Sequence, residues 1–130
     1  MSDLTAMLKR HEGVRLTAYT DSVGKLTIGV GRNISDVGLS RDEVEYLLAN
    51  DIARCRHEAV TTWEWFISFD SVRADVIVSM LFNLGLTRLL RFKKFLNACA
   101  SKDWHGASKE MLDSKWAVQV GKRAEELATS

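Results

Sequence analysis

The apolar residues of this chain change their spacing once, near Ser40. Before that point, residues 15–21 and 25–32 alternate between apolar and polar side chains, which is typical of strands with one buried face. After it, apolar residues recur at helical spacing. The change in period predicts an α+β fold, with a small hairpin-based sheet near the N-terminus and an all-helical remainder.

A short helix is predicted before the hairpin. Ser2 or Asp3 can cap its start and Gly13 can end it, which places Glu12 in its last turn. The negative end of the helix macrodipole lies there and disfavours a carboxylate. A carboxyl group that keeps its proton is what a general acid requires.

The two predicted strands are joined by residues 22–24. If their even-numbered positions face the core, Asp21 and Thr27 lie together on the polar face of the hairpin. Gly29 and Gly31 then leave that face without side chains beside Thr27, where a ligand can approach the backbone.

The helical part begins at a capping box. Ser40 and Glu43 have the required spacing, and they open a helix that reaches Ala59. Its expected apolar face consists of Val44, Leu47, Leu48, Ile52, Cys55 and Ala59. A second helix over residues 70–85 is apolar on nearly every side, which is typical of a central, buried helix. Shorter helices are expected at residues 92–100, 103–114 and 122–127.

Length and composition fit one globular domain. The chain has 130 residues, of which 46% are hydrophobic and 27% charged, a balance typical of soluble proteins. A chain of this size buries enough surface to form a core without disulfides or a structural metal. Cys55 and Cys99 lie in predicted helices outside any metal-binding pattern, so packed, reduced thiols are expected.

Positive charge is concentrated in residues 86–123, which hold nine Lys and Arg against three acidic residues. This excess can attract a polyanion, either nucleic acid or an anionic cell envelope, or it can be a solvated basic face. Nucleic acid is not the partner we expect.

Motifs for metal and nucleotide cofactors are incomplete. His11 and Glu12 lack the second histidine of a zinc-protease motif, since residue 15 is Arg15. The Gly29-Val30-Gly31 run has Ile34 where a dinucleotide motif needs its third glycine. We therefore expect neither a metal nor another cofactor.

The N-terminal residues 1–15 are polar and lack the apolar run of a secretory signal peptide. No segment approaches the roughly 20 apolar residues that cross a bilayer. We expect a protein made in the cytoplasm, without stable insertion into a membrane.

The aromatic run from Trp63 to Phe69 allows two interpretations. Its rings could form a surface on which sugars stack. Trp63 and Phe66 share a helical face, however, which favours packing under the junction between the sheet lobe and the helical lobe.

Two carboxyl groups and a hydroxyl form the candidate site, although composition alone fits ordinary surface acids equally. Glycosidic bond cleavage requires one carboxyl that protonates the leaving oxygen and a second that handles water or the sugar cation. Glu12 ends a helix, whereas Asp21 ends a strand, so their environments can differ as these roles require.

Residues 12–31 resemble the catalytic signature of phage lysozymes, glycoside hydrolase family 24. The signature reads E-G-x-R-L-x-x-Y-x-D and then G-x-x-T-I-G-x-G, and it matches in register. The similarity continues in residues 40–59, 82–85 and 114–116. It implies a single lysozyme-like domain over residues 1–130: a sheet lobe at about 13–40, a connecting helix at about 40–60, and a helical lobe at about 60–130 that includes the first helix.

The resemblance implies an activity and its partners. The enzyme would hydrolyse the β-1,4 bond between N-acetylmuramic acid and N-acetylglucosamine in bacterial peptidoglycan, as a monomer and without a cofactor. A phage-encoded holin would release it from the host cytoplasm to the wall for lysis. Two alternatives are a non-catalytic peptidoglycan-binding module of the same fold and a lytic transglycosylase.

The resemblance also assigns roles to residues. Glu12 resembles the general acid, Asp21 the carboxylate that positions the attacking water, and Thr27 the hydroxyl that helps to hold this water, which implies inversion. Arg123 resembles an arginine that reaches back to the catalytic glutamate. Asn83 matches an amide that faces the family's cleft, and a buried helix-capping or packing role is the alternative.

Two positions depart from the family pattern. Arg32 stands where the best-studied members of the family have a histidine that pairs with a distant acid. Gly121 replaces a proline expected shortly before the arginine. Neither position is one of the expected catalytic residues Glu12, Asp21 and Thr27.

Overall fold

The computed structural model describes residues 3–112. Its elements are α1 (Asp3–Glu12), β1 (Arg15–Thr20), β2 (Leu26–Gly29), β3 (Arg32–Asn33), α2 (Arg41–Thr62), a 3₁₀ turn (Glu64–Ser68), α3 (Ser71–Leu84), α4 (Leu86–Leu89), α5 (Lys93–Ala100) and α6 (Trp104–Leu112). The α+β prediction is therefore confirmed. Arg123, Gly121 and the helix expected at residues 122–127 lie outside the described residues.

The chain divides into two compact units, Met1–Tyr46 and Leu47–Ser130. The boundary falls inside α2, so the first two turns of this helix belong to the first unit. The lobe boundaries expected from the family resemblance stay a prediction.

In the first unit, α1 ends where the sequence predicts. The Gly13 N–H donates to the Lys9 carbonyl at 3.0 Å, and Gly13 adopts φ +77°. Residues with a Cβ avoid this left-handed conformation, so glycine is suited to the position after a helix. Glu12 is thereby fixed as the last residue of α1.

The sheet has three antiparallel strands in the order β1-β2-β3. The third strand was not predicted, because two residues are too few to show an alternating pattern. The expectation that even-numbered positions face the core is wrong: Leu16 is 90% exposed, whereas Thr27 is 3% exposed. The register shifts between Arg15 and Tyr19, and every residue of β1 except Tyr19 is exposed, so the even-numbered positions of this strand are not covered.

The helix α2 begins at the predicted capping box. The Ser40 N–H donates to Glu43 Oε1 at 2.8 Å, and the Glu43 N–H donates to Ser40 Oγ at 3.1 Å. Along the expected apolar face only Cys55 and Ala59 are buried, while Val44 is 47% exposed. The reason is that only the C-terminal half of the helix joins the hydrophobic core of the second unit.

That core is centred on α3. Asp70 occupies the N-cap position of the helix, and Gly85, at φ +81°, ends it. Half of its residues are buried, and Ile77 and Met80 are completely inaccessible to solvent. The prediction of a central helix is confirmed, although Phe82 stays exposed. The remaining helices pack around it with buried side chains of their own: Leu89, Phe95, Ala98, Cys99, Ala107 and Met111.

Both cysteines are free and buried in the core, as the sequence predicts. Burial raises the pKa of the Cys99 thiol to about 12, and burial also raises the pKa of Cys55. A buried thiol that keeps its proton is a poor nucleophile, so both residues act as small apolar side chains.

The aromatic run packs inside the second unit. Trp63 and Phe66 are buried. Trp65 is stacked on Trp63 at 5.3 Å between ring centroids and on Phe69 at 4.9 Å. Trp63 and Phe66 are therefore packing residues, as the sequence favours, while their expected place under the lobe junction stays a prediction.

Within residues 3–112, no helix is long and apolar enough to span a bilayer. The same residues contain no cluster of three or more His, Cys, Asp or Glu side chains that could hold a metal ion.

Candidate active site

The carboxyl group of Glu12 lies against the backbone of Gly31. A Cβ atom placed on Gly31 would be 2.6 Å from Glu12 Oε1 and 3.3 Å from its Cδ. Gly31 also adopts φ +65°. The end of α1 and the segment between β2 and β3 are therefore in contact, and only glycine leaves room for this carboxyl group.

Asp21 is fixed by the turn that joins β1 to β2. Its Oδ1 accepts hydrogen bonds from the backbone N–H of Val23 at 3.0 Å and of Lys25 at 2.8 Å. Its own N–H donates to the Lys25 carbonyl at 2.9 Å. An aspartate whose side chain replaces a backbone acceptor is a common way to stabilise a turn. Here the bonds also fix the direction of the carboxylate.

Thr27 is the buried polar residue of the sheet. It lies in β2, opposite Tyr19 of β1 and Asn33 of β3. Its hydroxyl donates to the Lys25 carbonyl at 3.0 Å, the same oxygen that accepts the N–H of Asp21. The two predicted site residues are thus joined through the backbone of Lys25.

These bonds define what the two side chains can do. A threonine hydroxyl has one hydrogen, and Thr27 uses it on the Lys25 carbonyl, so the hydroxyl can only accept a further hydrogen bond. The bonds that the described residues make to the Asp21 carboxylate both go to Oδ1, which leaves Oδ2 able to accept a proton. A water molecule has two hydrogens, and the pair offers an acceptor for each.

The remaining predicted site residues are Gly29, Asn83 and Arg123. Gly29 adopts φ +68°, and a Cβ there would meet no atom within 4 Å, so it differs from Gly31. Asn83 is exposed near the end of α3 in the second unit. Arg123 lies outside the described residues.

Sequence reasoning missed Lys25, which is central to the site. Its contribution comes from its backbone N–H and C=O groups, which accompany any residue type. A side-chain pattern therefore could not identify it. The position of Asp21 just before the second strand was an indirect signal of the turn that contains Lys25, since aspartate often begins such turns.

Arg32 connects β3 to the start of α2. Its guanidinium donates to both oxygens of Glu43 and, at 3.1 Å, to the Gly38 carbonyl. The family histidine position is therefore filled by a residue that stays charged at every relevant pH. Its partner is the same glutamate that completes the capping box.

The Arg32–Glu43 pair predicts how stability depends on pH. The hydrogen bonds from Ser40, together with the charge of Arg32, hold the pKa of Glu43 below its usual range. A group whose pKa is lower in the folded state stabilises the protein at pH values above its unfolded pKa of about 4.3. This stabilisation is lost as the pH falls through the pKa of the folded state. We expect thermal unfolding to show wild type more stable than Glu43→Gln at pH 7, with the difference shrinking by pH 3. A difference that is constant from pH 7 to pH 3 would contradict this.

Comparisons with known proteins identify the family of this chain. The family model for phage lysozyme matches residues 9–129. An endolysin of Acyrthosiphon pisum secondary endosymbiont phage 1 is 32% identical over 121 residues, which cover 90% of this chain and 80% of the endolysin. Probable T4-type lysozyme 1 of Dictyostelium discoideum is 26% identical over 153 residues, with 95% of this chain and 90% of that protein covered. The pre-baseplate central spike protein Gp5 of Enterobacteria phage T4 is 26% identical, and 93% of this chain matches 26% of its length. A match that spans nearly the whole chain, on a fold that has the expected sheet and helices, shows that this chain belongs to the phage lysozyme family.

Proposed function

We propose that this protein is an endolysin that hydrolyses the β-1,4 bond between N-acetylmuramic acid and N-acetylglucosamine in bacterial peptidoglycan. Membership of the phage lysozyme family supports a glycosidase-type enzyme. The observation that carries the finer proposal is the shared Lys25 backbone, which joins the Asp21 carboxylate to the Thr27 hydroxyl. A binding protein has no need for such a pair.

Glu12 is the proposed general acid. It protonates the glycosidic oxygen as the bond to the anomeric carbon breaks, so that the leaving sugar departs as an alcohol. Its position as the last residue of α1, with the carboxyl group against Gly31, supports this role. The glycine leaves the carboxyl group accessible on the side away from the backbone.

Asp21 and Thr27 are proposed to hold the attacking water. The water donates one hydrogen to Thr27 Oγ1 and the other to Asp21 Oδ2, which takes the proton as the oxygen attacks. With both hydrogens engaged, a lone pair of the water oxygen points towards the anomeric carbon. Attack on the face opposite the leaving group inverts the configuration of that carbon.

Further parts of the proposal follow the family resemblance. Arg123 is proposed to orient the Glu12 carboxyl group, and Asn83 to bind the glycan. The protein would act as a monomer after a holin releases it from the cytoplasm of the host to the cell wall.

Analysis of the product ends tests the proposed reaction. We expect purified peptidoglycan treated with the protein to yield new reducing ends that carry N-acetylmuramic acid, because water is added across the bond. Mass spectrometry after borohydride reduction identifies these ends.

Each alternative has its own outcome in this experiment. A lytic transglycosylase uses no water and leaves 1,6-anhydro sugars, which borohydride does not reduce. A peptidoglycan-binding module would sediment with the wall material and release nothing. Either result would overturn the proposed hydrolysis.

A further inference from the structure

Residues 33–36, which we call the strap, fold back on the segment that follows the Asp21 turn. The Leu26 N–H donates to Ser35 Oγ at 3.1 Å, and the Ile34 N–H donates to the Leu26 carbonyl at 2.8 Å. These two bonds hold both main-chain groups of Leu26 in place.

Ser35 acts on the peptide group that the site depends on. The Leu26 N–H and the Lys25 C=O belong to one planar peptide unit, so fixing one group fixes the direction of the other. On the N–H side the unit bonds to Ser35 Oγ. On the C=O side it accepts from the N–H of Asp21 and the hydroxyl of Thr27.

Asp36 binds the side chain of Lys25. The Lys25 ammonium group donates to Asp36 Oδ1 at 3.2 Å. The other carboxylate oxygen accepts from Asn33 Nδ2 at 3.0 Å, and the Asp36 N–H donates to Asn33 Oδ1 at 3.0 Å. This reciprocal pair of bonds makes the strap rigid, because neither side chain can rotate without breaking one of them.

We propose that Ser35 and Asp36 are positioning residues for the hydrolytic water, and that they act through Lys25. The inference rests on the proposed roles of Asp21 and Thr27. Ser35 sets the orientation of the Lys25–Leu26 peptide group, and Asp36 restrains the Lys25 side chain. Both residues therefore affect the step in which water attacks, although neither touches it.

Removing the Ser35 hydroxyl tests the main contact. Ser35 is exposed, so water can replace the lost acceptor and the protein stays folded. We expect Ser35→Ala to lower kcat by about 3- to 10-fold with KM unchanged, because small displacements of a reacting group have large effects on rate. Ser35→Thr keeps the hydroxyl and should retain most of the activity.

Asp36→Asn tests the second contact, and two variants serve as controls. We expect it to lower kcat by about 2- to 5-fold, less than Ser35→Ala, because an exposed ion pair restrains its partner only weakly. Asp75→Asn removes a matched ion pair, also 3.2 Å long, from the second unit. Ser40→Ala weakens the first unit at the α2 cap without touching Lys25. Both controls should retain the wild-type kcat.

Amide hydrogen exchange measured by NMR gives a readout that does not depend on activity. The Lys25 N–H donates to Asp21 Oδ1, so its exchange should accelerate in Ser35→Ala and in Asp36→Asn but not in the controls. Unchanged exchange and unchanged kcat in both variants would overturn the inference while leaving the hydrolase proposal intact. A wild-type protein that releases no sugar would instead refute the hydrolase proposal, and the exchange rates would then show whether the strap still orders the Asp21 turn.

Discussion

Glu12→Gln should abolish the release of reducing sugar from peptidoglycan while the protein stays folded. Glutamine has nearly the same shape as glutamate but cannot donate the proton that the leaving oxygen needs. A general acid contributes about 10²- to 10⁴-fold to the rate, so a loss of that size is expected in kcat. Glu12 is exposed, and the substitution should leave the unfolding temperature close to that of wild type.

A second carboxylate of the same unit provides the control for this variant. Glu45 is exposed on α2, and Glu45→Gln removes the same charge from a position outside the proposed site. We expect it to retain full activity. If Glu12→Gln keeps more than about a tenth of the wild-type rate, the proton does not come from Glu12, given the usual size of the effect.

The second large effect is expected at Gly31. An alanine there would place its Cβ 2.6 Å from Glu12 Oε1, so the carboxyl group must move. Displacement of a catalytic group by about 1 Å lowers the rate by roughly 10²-fold. We therefore expect Gly31→Ala to lose most of its activity in the sugar-release assay.

Gly29 offers a matched comparison for the backbone effect. Both glycines adopt a positive φ, +68° at Gly29 and +65° at Gly31, so alanine destabilises each by about 1–2 kcal/mol. Only Gly31 has an atom within reach of the added methyl group. If the two variants lose similar unfolding free energy while Gly31→Ala loses much more activity than Gly29→Ala, the additional loss of activity comes from the contact with Glu12. Equal activity in the two variants would refute that contact.

The ends of helices were predictable because single side chains decide them. Gly13 ends α1, Gly85 ends α3, and Ser40 with Glu43 begins α2, each by a local hydrogen bond or backbone conformation. Residues within four positions of each other determine these features. The local sequence therefore contains the necessary information.

The faces of strands and helices were less predictable because they depend on distant partners. Leu16 belongs to an alternating run, yet it is exposed, as is every residue of β1 except Tyr19. Val44 lies on the apolar side of α2, yet it is exposed because only the other half of the helix joins the core. Alternation and helical spacing state which residues share a face, and the packing of other elements decides whether that face is covered.

The candidate site shows the same distinction. The side chains with chemical roles, Glu12, Asp21 and Thr27, could be identified from the resemblance to a family signature. The groups that orient them could not, since the Lys25 backbone has no side-chain signal and Ser35 is ordinary for a turn. Residues that perform chemistry are restricted in type, whereas residues that provide a hydrogen bond to the backbone can be one of several.

Glu43 links the start of α2 to β3, so local unfolding of one element affects the other. The same carboxylate satisfies the N-terminus of α2 and holds Arg32 of β3. We therefore expect unwinding of the first turn of α2 to weaken the attachment of β3, and detachment of β3 to weaken the start of the helix. Hydrogen exchange should then show the amides of β3 and of the first turn of α2 opening together, as one cooperative unit.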